Sequence, residues 1–140
     1  MKRLTRSLKA FCQKQEILRL AYVDTRGRPR VVPVWFVVIG ADYYVGTGAQ
    51  SPKWKAIKRS GRVAWAIDGG TQGKYKGLSI SGNAEVVRDA KLRARIYRAF
   101  GKKYFGSADH PKHIEIWGEV DEPASVYMLL KPEDGFWWEY

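Results

Sequence analysis

Cysteine is nearly absent: Cys12 is alone in 140 residues, so neither an internal disulfide nor a cluster of thiolate metal ligands can form within one chain. Long apolar runs are absent too. The longest, Val31 to Ile39, is interrupted by Pro33, whereas a membrane-spanning helix needs roughly 20 predominantly apolar residues. The basic N-terminus reaches Gln13, Lys14, Gln15 and Glu16 with no apolar stretch ending in small residues of the kind that marks export. These three absences predict a cytoplasmic protein with no membrane partner. No Gly-x-x-x-x-Gly-Lys-Ser/Thr or Gly-x-Gly-x-x-Gly pattern occurs, which argues against a P-loop ATPase and a dinucleotide-binding Rossmann unit. Histidine is scarce, and His110 and His113 around Pro111-Lys112 lack the third ligand that zinc or iron would require. They read as loop or surface residues, and no metal site is expected. Asp134 and Glu139 give no pattern of paired catalytic carboxylates.

What is present is aromatic and basic. Aromatic residues make up 14% of the chain, with six tryptophans and eight tyrosines, and 45% of residues are hydrophobic. That is ample for the core of one domain spanning residues 1–140. The net charge of +11 is unevenly distributed. Residues 1–30 carry nine Lys or Arg against two acids, and residues 110–140 carry two against seven. Such asymmetry suits an anionic cofactor, nucleic acid, or the pairing of two copies of the chain.

Leu4, Leu8, Phe11 and Cys12 recur at helical spacing and predict a short amphipathic helix over about 4–14 that caps a barrel end. Ile17–Asp24, the turn Asp24-Thr25-Arg26-Gly27 and a strand over Arg30–Ile39 read as a hairpin. Tyr43–Val45, Val63–Ile67 and a long segment through Leu78, Ile80, Ala84 and Val86 give further strands, with Gly82 marking a bulge or a close backbone approach. A helix over Asp89–Lys103, capped by Asp89, follows. A last hairpin is expected from Val126–Leu130 and Phe136–Tyr140, turning at Pro132-Glu133-Asp134-Gly135. Six or seven short strands with two or three helices favour a closed or partly closed antiparallel barrel over a doubly wound sheet.

The clearest local chemistry lies between Thr47 and Lys58. Thr47 and Ser51 supply hydroxyls, and Ser51-Pro52 starts a helix whose first amides point outward. Lys53 adds a cation in that first turn. Together they suit a phosphate, and Lys55, Lys58, Arg59 and Arg62 widen the positive field. Arg30, Val32, Pro33 and Trp35 in the preceding strand offer a flat cofactor backbone polar groups and an apolar wall. The competing reading makes Ser51-Pro52 an ordinary helix start and Trp35 ordinary core. Tyr44, Tyr75, Trp35 and Trp65 read as core or interface before they read as a substrate pocket.

The order Leu20-Ala21-Tyr22-Val23-Asp24, Gly27-Arg28-Pro29, Val31-Val32-Pro33-Val34-Trp35-Phe36, Thr47, Ser51-Pro52-Lys53 and Ile80-Ser81-Gly82-Asn83-Ala84 resembles the pyridoxamine 5'-phosphate oxidase-like, flavin-binding split β-barrel superfamily. Within it, the small FMN/F420 reductase-like branch is the nearer match. The resemblance implies a mainly β fold with short helices, a split antiparallel β-barrel. It also implies a homodimer with cofactor sites at its interface, and electron or hydride transfer at a flavin ring to an unknown small substrate. FMN is the expected cofactor, with F420 the alternative and haem used by some related barrels. The superfamily's phosphate pattern of Thr, Ser four residues later and then Arg-Lys falls on Thr47, Ser51 and Lys53. Pro52 replaces the Arg and removes one cationic fork. Lys53 is thus the expected direct ligand, with Lys55 supplying nearby charge. Arg30 and Val32 match the segment that lines the cofactor, while no catalytic residue is assigned. Two other functions stay open: noncatalytic flavin binding, and a basic nucleic-acid-binding module, the less expected of the two.

Overall fold

A computed structural model describes residues 2–140. Its strands are β1 (Leu18–Val23), β2 (Pro29–Val34), β3 (Phe36–Ile39), β4 (Asp42–Gly48), β5 (Arg62–Gly69), β6 (Lys76–Val86) and β7 (Ser125–Glu139). Its helices are α1 (Arg6–Lys14), α2 (Pro52–Ser60), α3 (Ala90–Phe105) and α4 (Pro111–Trp117). All strand pairs are antiparallel, in the order β2-β1-β5-β6-β7-β4-β3. None of the helices among the described residues is long and apolar enough to cross a membrane.

The segment over Arg30–Ile39 is two strands and not the single strand its sequence suggests. β2 ends at Val34 and β3 begins at Phe36, yet these strands form opposite edges of the sheet. With only Trp35 between them, the seven strands must curl until the two edges meet. The result is a split antiparallel β-barrel. Its interior takes Leu18 and Leu20 from β1, Phe36 from β3, Ile67 from β5, Leu78 from β6 and Met128 and Leu130 from β7. Leu8 and Cys12 of α1 close one end, as the helical spacing implies. A second cluster outside the barrel joins Val37, Tyr44 and Tyr127 to Ile96, Tyr97 and Phe100 of α3. The period-two alternation of strands explains the sharing, because Phe36 faces one cluster and Val37 the other.

Where the sheet splits, its backbone groups lose their ladder partners and α3 supplies replacements. The Phe36 N–H donates to Tyr104 Oη at 2.9 Å, and the Tyr104 hydroxyl donates to the Glu16 carbonyl at 2.8 Å. Lys103 Nζ donates to the Phe36 carbonyl at 3.0 Å and lies 3.5 Å from the centroid of the Phe36 ring. Trp35 stacks on Tyr104 with centroids 4.2 Å apart and planes within 5°. Burial pushes the Tyr104 hydroxyl up to about 12 and the Lys103 ammonium down to about 8, so tyrosine stays a neutral donor at neutral pH.

The expected C-terminal hairpin is instead one long strand. β7 pairs with β4 over Ser125–Leu130 and with β6 over Met128–Glu139. Pro132 stands just beyond the last β4 pair, where its missing N–H costs the ladder nothing. The residues read as a turn form a bulge, at which Ser81 opposes Asp134 and Gly82 opposes Pro132, leaving Glu133 unpaired. A side chain at Gly82 would collide with the Lys131 carbonyl, which accounts for the glycine opposite the bulge.

The segment carrying the histidines also departs from expectation. It is α4, with the His110 ring Nδ1 accepting the Lys112 N–H at its start. His113 is fully buried, its Nε2 2.9 Å from the Tyr97 carbonyl and its ring against Tyr97 and Phe105. Seven residues beginning with proline carried too little periodicity to reveal this helix.

Tyr104→Phe keeps the ring that stacks on Trp35 but leaves the Phe36 N–H and the Glu16 carbonyl without their partner. The expected loss is about 1–3 kcal/mol, read as a lower urea midpoint at unchanged slope. An unchanged midpoint would show that the split does not depend on this hydroxyl.

Candidate cationic cofactor cleft

The β1–β2 turn is built around Asp24. Its Oδ1 accepts the Arg26 and Arg28 N–H groups, each at 2.9 Å, and its Oδ2 accepts Arg28 Nε at 3.0 Å and Arg30 Nε at 3.2 Å. The backbone bond from Arg28, helped by those from Arg26 and the two guanidinium groups, holds the carboxyl well below the usual carboxylate range. Gly27 takes the positive φ of 79° that the turn requires. The ionised carboxylate thus fixes the directions of two arginines while leaving their outer nitrogens unpaired with any other carboxylate among the described residues.

These arginines border an open cleft of about 440 Å³ between the hairpin and α2, within the size range of small-molecule sites. Its cationic wall is Arg26, Arg28, Arg30 and Lys55, and its apolar wall is Val31, Val32, Tyr22 and Pro52. β2 pairs only with β1, so its outer edge is unpaired. Pro29 and Pro33 on that strand discourage addition of another strand.

α2 begins beside the cleft. Ser51 occupies the N-cap position with extended backbone, but its side chain makes no capping bond. Pro52 has no N–H, Lys55 N–H bonds back to the Ser51 carbonyl, and the Lys53 and Trp54 amides are the unsatisfied donors of the first turn. Lys53 is half-buried, and burial pulls its pKa down. No salt bridge relieves it among the described residues. An uncompensated cation beside free helix amides is a setting that an anion stabilises.

Of the residues singled out from sequence, Arg30, Val32 and Lys55 share the cleft wall, and Ser51 and Lys53 flank Pro52 at its border. Pro33 is exposed on β2. Thr47 is buried on β4 and borders a separate depression of about 510 Å³ with Gly48, Trp117 and Glu122. Trp35 packs into the second cluster against Tyr104 and Phe105. Tyr44 and Trp65 are buried in the core, whereas Tyr75 is exposed. Sequence reasoning missed Tyr22, Asp24, Arg26 and Arg28. The available signal was an Asp-initiated turn with basic residues at 26, 28 and 30, in and just after it.

A curled seven-stranded barrel with a cationic cleft beside an open edge strand defines a class of small split barrels. The family model described as pyridoxamine 5'-phosphate oxidase matches residues 4–138, and the chain belongs to that family. No curated protein matches it. Among solved structures, a conserved hypothetical protein from Mycobacterium tuberculosis is 20% identical with a TM-score of 0.82, covering 98% of this chain and 86% of its own. The haem storage protein HutZ from Vibrio cholerae is 24% identical with a TM-score of 0.73, covering 96% and 93%. An F420 reductase is 20% identical with a TM-score of 0.71, covering 95% and 98%. At these identities the likeness is one of fold, a fold that proteins of flavin and haem chemistry share.

Proposed function

We propose that this chain is an FMN-binding oxidoreductase, with the cofactor phosphate held at the start of α2 and the ring against the open edge of β2. The observation that carries this reading is one cleft walled by arginines oriented by Asp24 and by the apolar Val31 and Val32, with Pro52 bringing the start of α2, where Ser51 makes no capping bond, to its border. Bound flavin supplies the electron or hydride transfer. The protein's own part is to bind the phosphate, orient the ring and leave one ring face open to a small substrate.

A protein nucleophile has no support. Cys12 is buried and burial pushes its thiol up to about 11, far from a reactive thiolate. Haem has weaker support than flavin at this cleft, because Tyr22 is the one lining side chain of a type that ligates haem iron.

Lys53 and Lys55 divide the phosphate's charge unequally in this reading. Lys53 is half-buried, so its pull on an anion is weakly screened, whereas Lys55 is exposed. Removing a charged hydrogen bond costs about 1.5–3 kcal/mol, or roughly 10- to 150-fold in affinity. Lys53→Ala is therefore expected to weaken FMN by that factor, and Lys55→Ala by much less, in calorimetric titration of cofactor-free protein. Riboflavin, which lacks the phosphate, is expected to bind both variants like the native protein. Equal losses of FMN and riboflavin would reject the phosphate assignment, as would undiminished FMN binding in Lys53→Ala.

The same reading includes a two-fold homodimer, supported by the exposure of Val31, Phe136 and Tyr140 at 67%, 64% and 78%. Apolar surface of this kind is stabilised by burial against a second copy. Sedimentation equilibrium at micromolar concentration with FMN present is expected to give twice the chain mass. A monomer throughout would reject the dimer.

A further inference from the structure

α3 packs onto the sheet through one side only. Ile96, Tyr97 and Phe100 are buried in the second cluster, and the opposite side carries Lys91, Arg95, Arg98 and Lys102, at intervals of four, three and four residues. Such intervals return to the same side of a helix each time. All four residues are exposed, and at 1.5 Å per residue they form a straight row about 16 Å long. α3 has no acid among its 16 residues. None of the four cations pairs with a carboxylate among the described residues. Like charges in adjacent turns repel and destabilise a helix, so the row works against α3 until an anion lies over it.

α1 continues the row. Its buried side is Leu8 and Cys12, while Arg6, Lys9 and Gln13 are exposed and share the other side by their spacing of three and four. α1 contains no acid either. Gln13 borders a depression of about 420 Å³ together with Lys102 and Lys103, so the exposed face of α1 meets the end of the α3 row. Two basic runs remote in sequence become one surface. The acids nearest to it stand at its margins: Asp42 acts on Tyr44 together with Arg95, and Glu16 acts on Lys103 and Tyr104. Neither forms a salt bridge with a residue of the row.

The chemistry of this surface selects its partner. A helix that lies on a membrane combines cations with apolar side chains that enter the lipid, but no large hydrophobic residue is exposed on α1 or α3 among the described residues. Single-stranded nucleic acid is held on aromatic platforms, and no exposed aromatic residue stands on either helix. A duplex presents a rigid, regular line of phosphates, with one negative charge per about 1.7 Å of its axis. A straight row of cations on a packed helix meets that line with no flexible segment to order.

We infer that the α1–α3 face binds the phosphate backbone of duplex nucleic acid without regard to base sequence. Arg95 and Arg98 stand at the centre of the row and carry the forked donors that suit phosphate. Neither helix contributes a residue to the cofactor cleft, so this second function stands apart from whatever that cleft holds.

The test titrates the full chain, with FMN in excess, into fluorescently labelled DNA duplexes of about 20 base pairs, two helical turns, in two unrelated sequences and over a range of salt concentrations. Arg95→Gln/Arg98→Gln is compared with Lys58→Gln/Lys131→Gln, which removes the same charge from exposed positions on α2 and β7. Circular dichroism checks that both pairs keep the native fold. The native protein is expected to bind both duplexes equally and to lose affinity steeply with salt. The Arg95/Arg98 pair is expected to bind roughly tenfold more weakly at low salt, with the salt slope reduced by about two, and the Lys58/Lys131 pair to stay within about twofold of native. Native protein that leaves the duplexes free at low salt would overturn the inference. Equal losses in the two pairs would overturn it as well, because net charge alone would then be acting. Tighter binding to phosphatidylserine vesicles than to duplex would give the face to a membrane instead, and loss of self-association in the Arg95/Arg98 pair would give it to a second copy of the chain.

Discussion

Everything in this molecule is arranged around a one-residue gap in a sheet. Trp35 joins two strands that lie at opposite edges, so the curl of all seven strands is dictated by a connection too short to permit a flat sheet. The cost of that gap is a set of backbone groups with no strand to pair with, and leaving such groups unpaired is expensive. Tyr104 and Lys103 of α3 take those bonds at Phe36, and Tyr104 also receives the Trp35 ring. The second aromatic cluster therefore fixes a helix over the split, and the split leaves β2 as an open edge beside the cationic cleft.

The cleft depends on a different local device. A buried ion pair gains little over its desolvation cost, and exposed pairs contribute little to stability. The Asp24 network is exposed at its arginine end, and its value lies in direction. The carboxylate closes the turn through backbone N–H groups and holds Arg28 and Arg30 in the wall of a cleft that Pro52 and Lys55 of α2 also line. That helix has no acid in its first turn and no side-chain cap on its amides. Two elements, each carrying uncompensated positive character, face each other across an open space. An anion placed there satisfies both.

Much of the fold was legible in the sequence, because period-two and helical spacings decide which face of each element is apolar. The α1 stripe at Leu8 and Cys12, the Asp89 cap and the bulge at Gly82 all follow from such local rules. The failures came where a distant partner overrides local signals. Pro132 to Gly135 has the composition of a turn, yet β6 pairs through it and absorbs the irregularity as a bulge. The break at Trp35 leaves no mark in an unbroken apolar run, since it is enforced by the sheet's closure. The burial of His113 was hidden in the same way, as α4 is held by Tyr97 and Phe105 of α3. At the site, the spacing of Ser51, Lys53 and Lys55 located the start of α2. The contribution of Arg26 and Arg28 required knowing that the hairpin folds over that helix.

The central proposal is that a phosphorylated flavin-type ring binds between the open edge of β2 and the start of α2. The absorption spectrum of the protein purified without added cofactor tests it most directly, repeated after saturation with FMN. The expected result is the two near-ultraviolet and blue bands of an oxidised flavin, shifted from those of free FMN by the apolar wall at Val31 and Val32. A strong Soret band in the purified protein, or an FMN spectrum identical to that of the free compound after mixing, would contradict it.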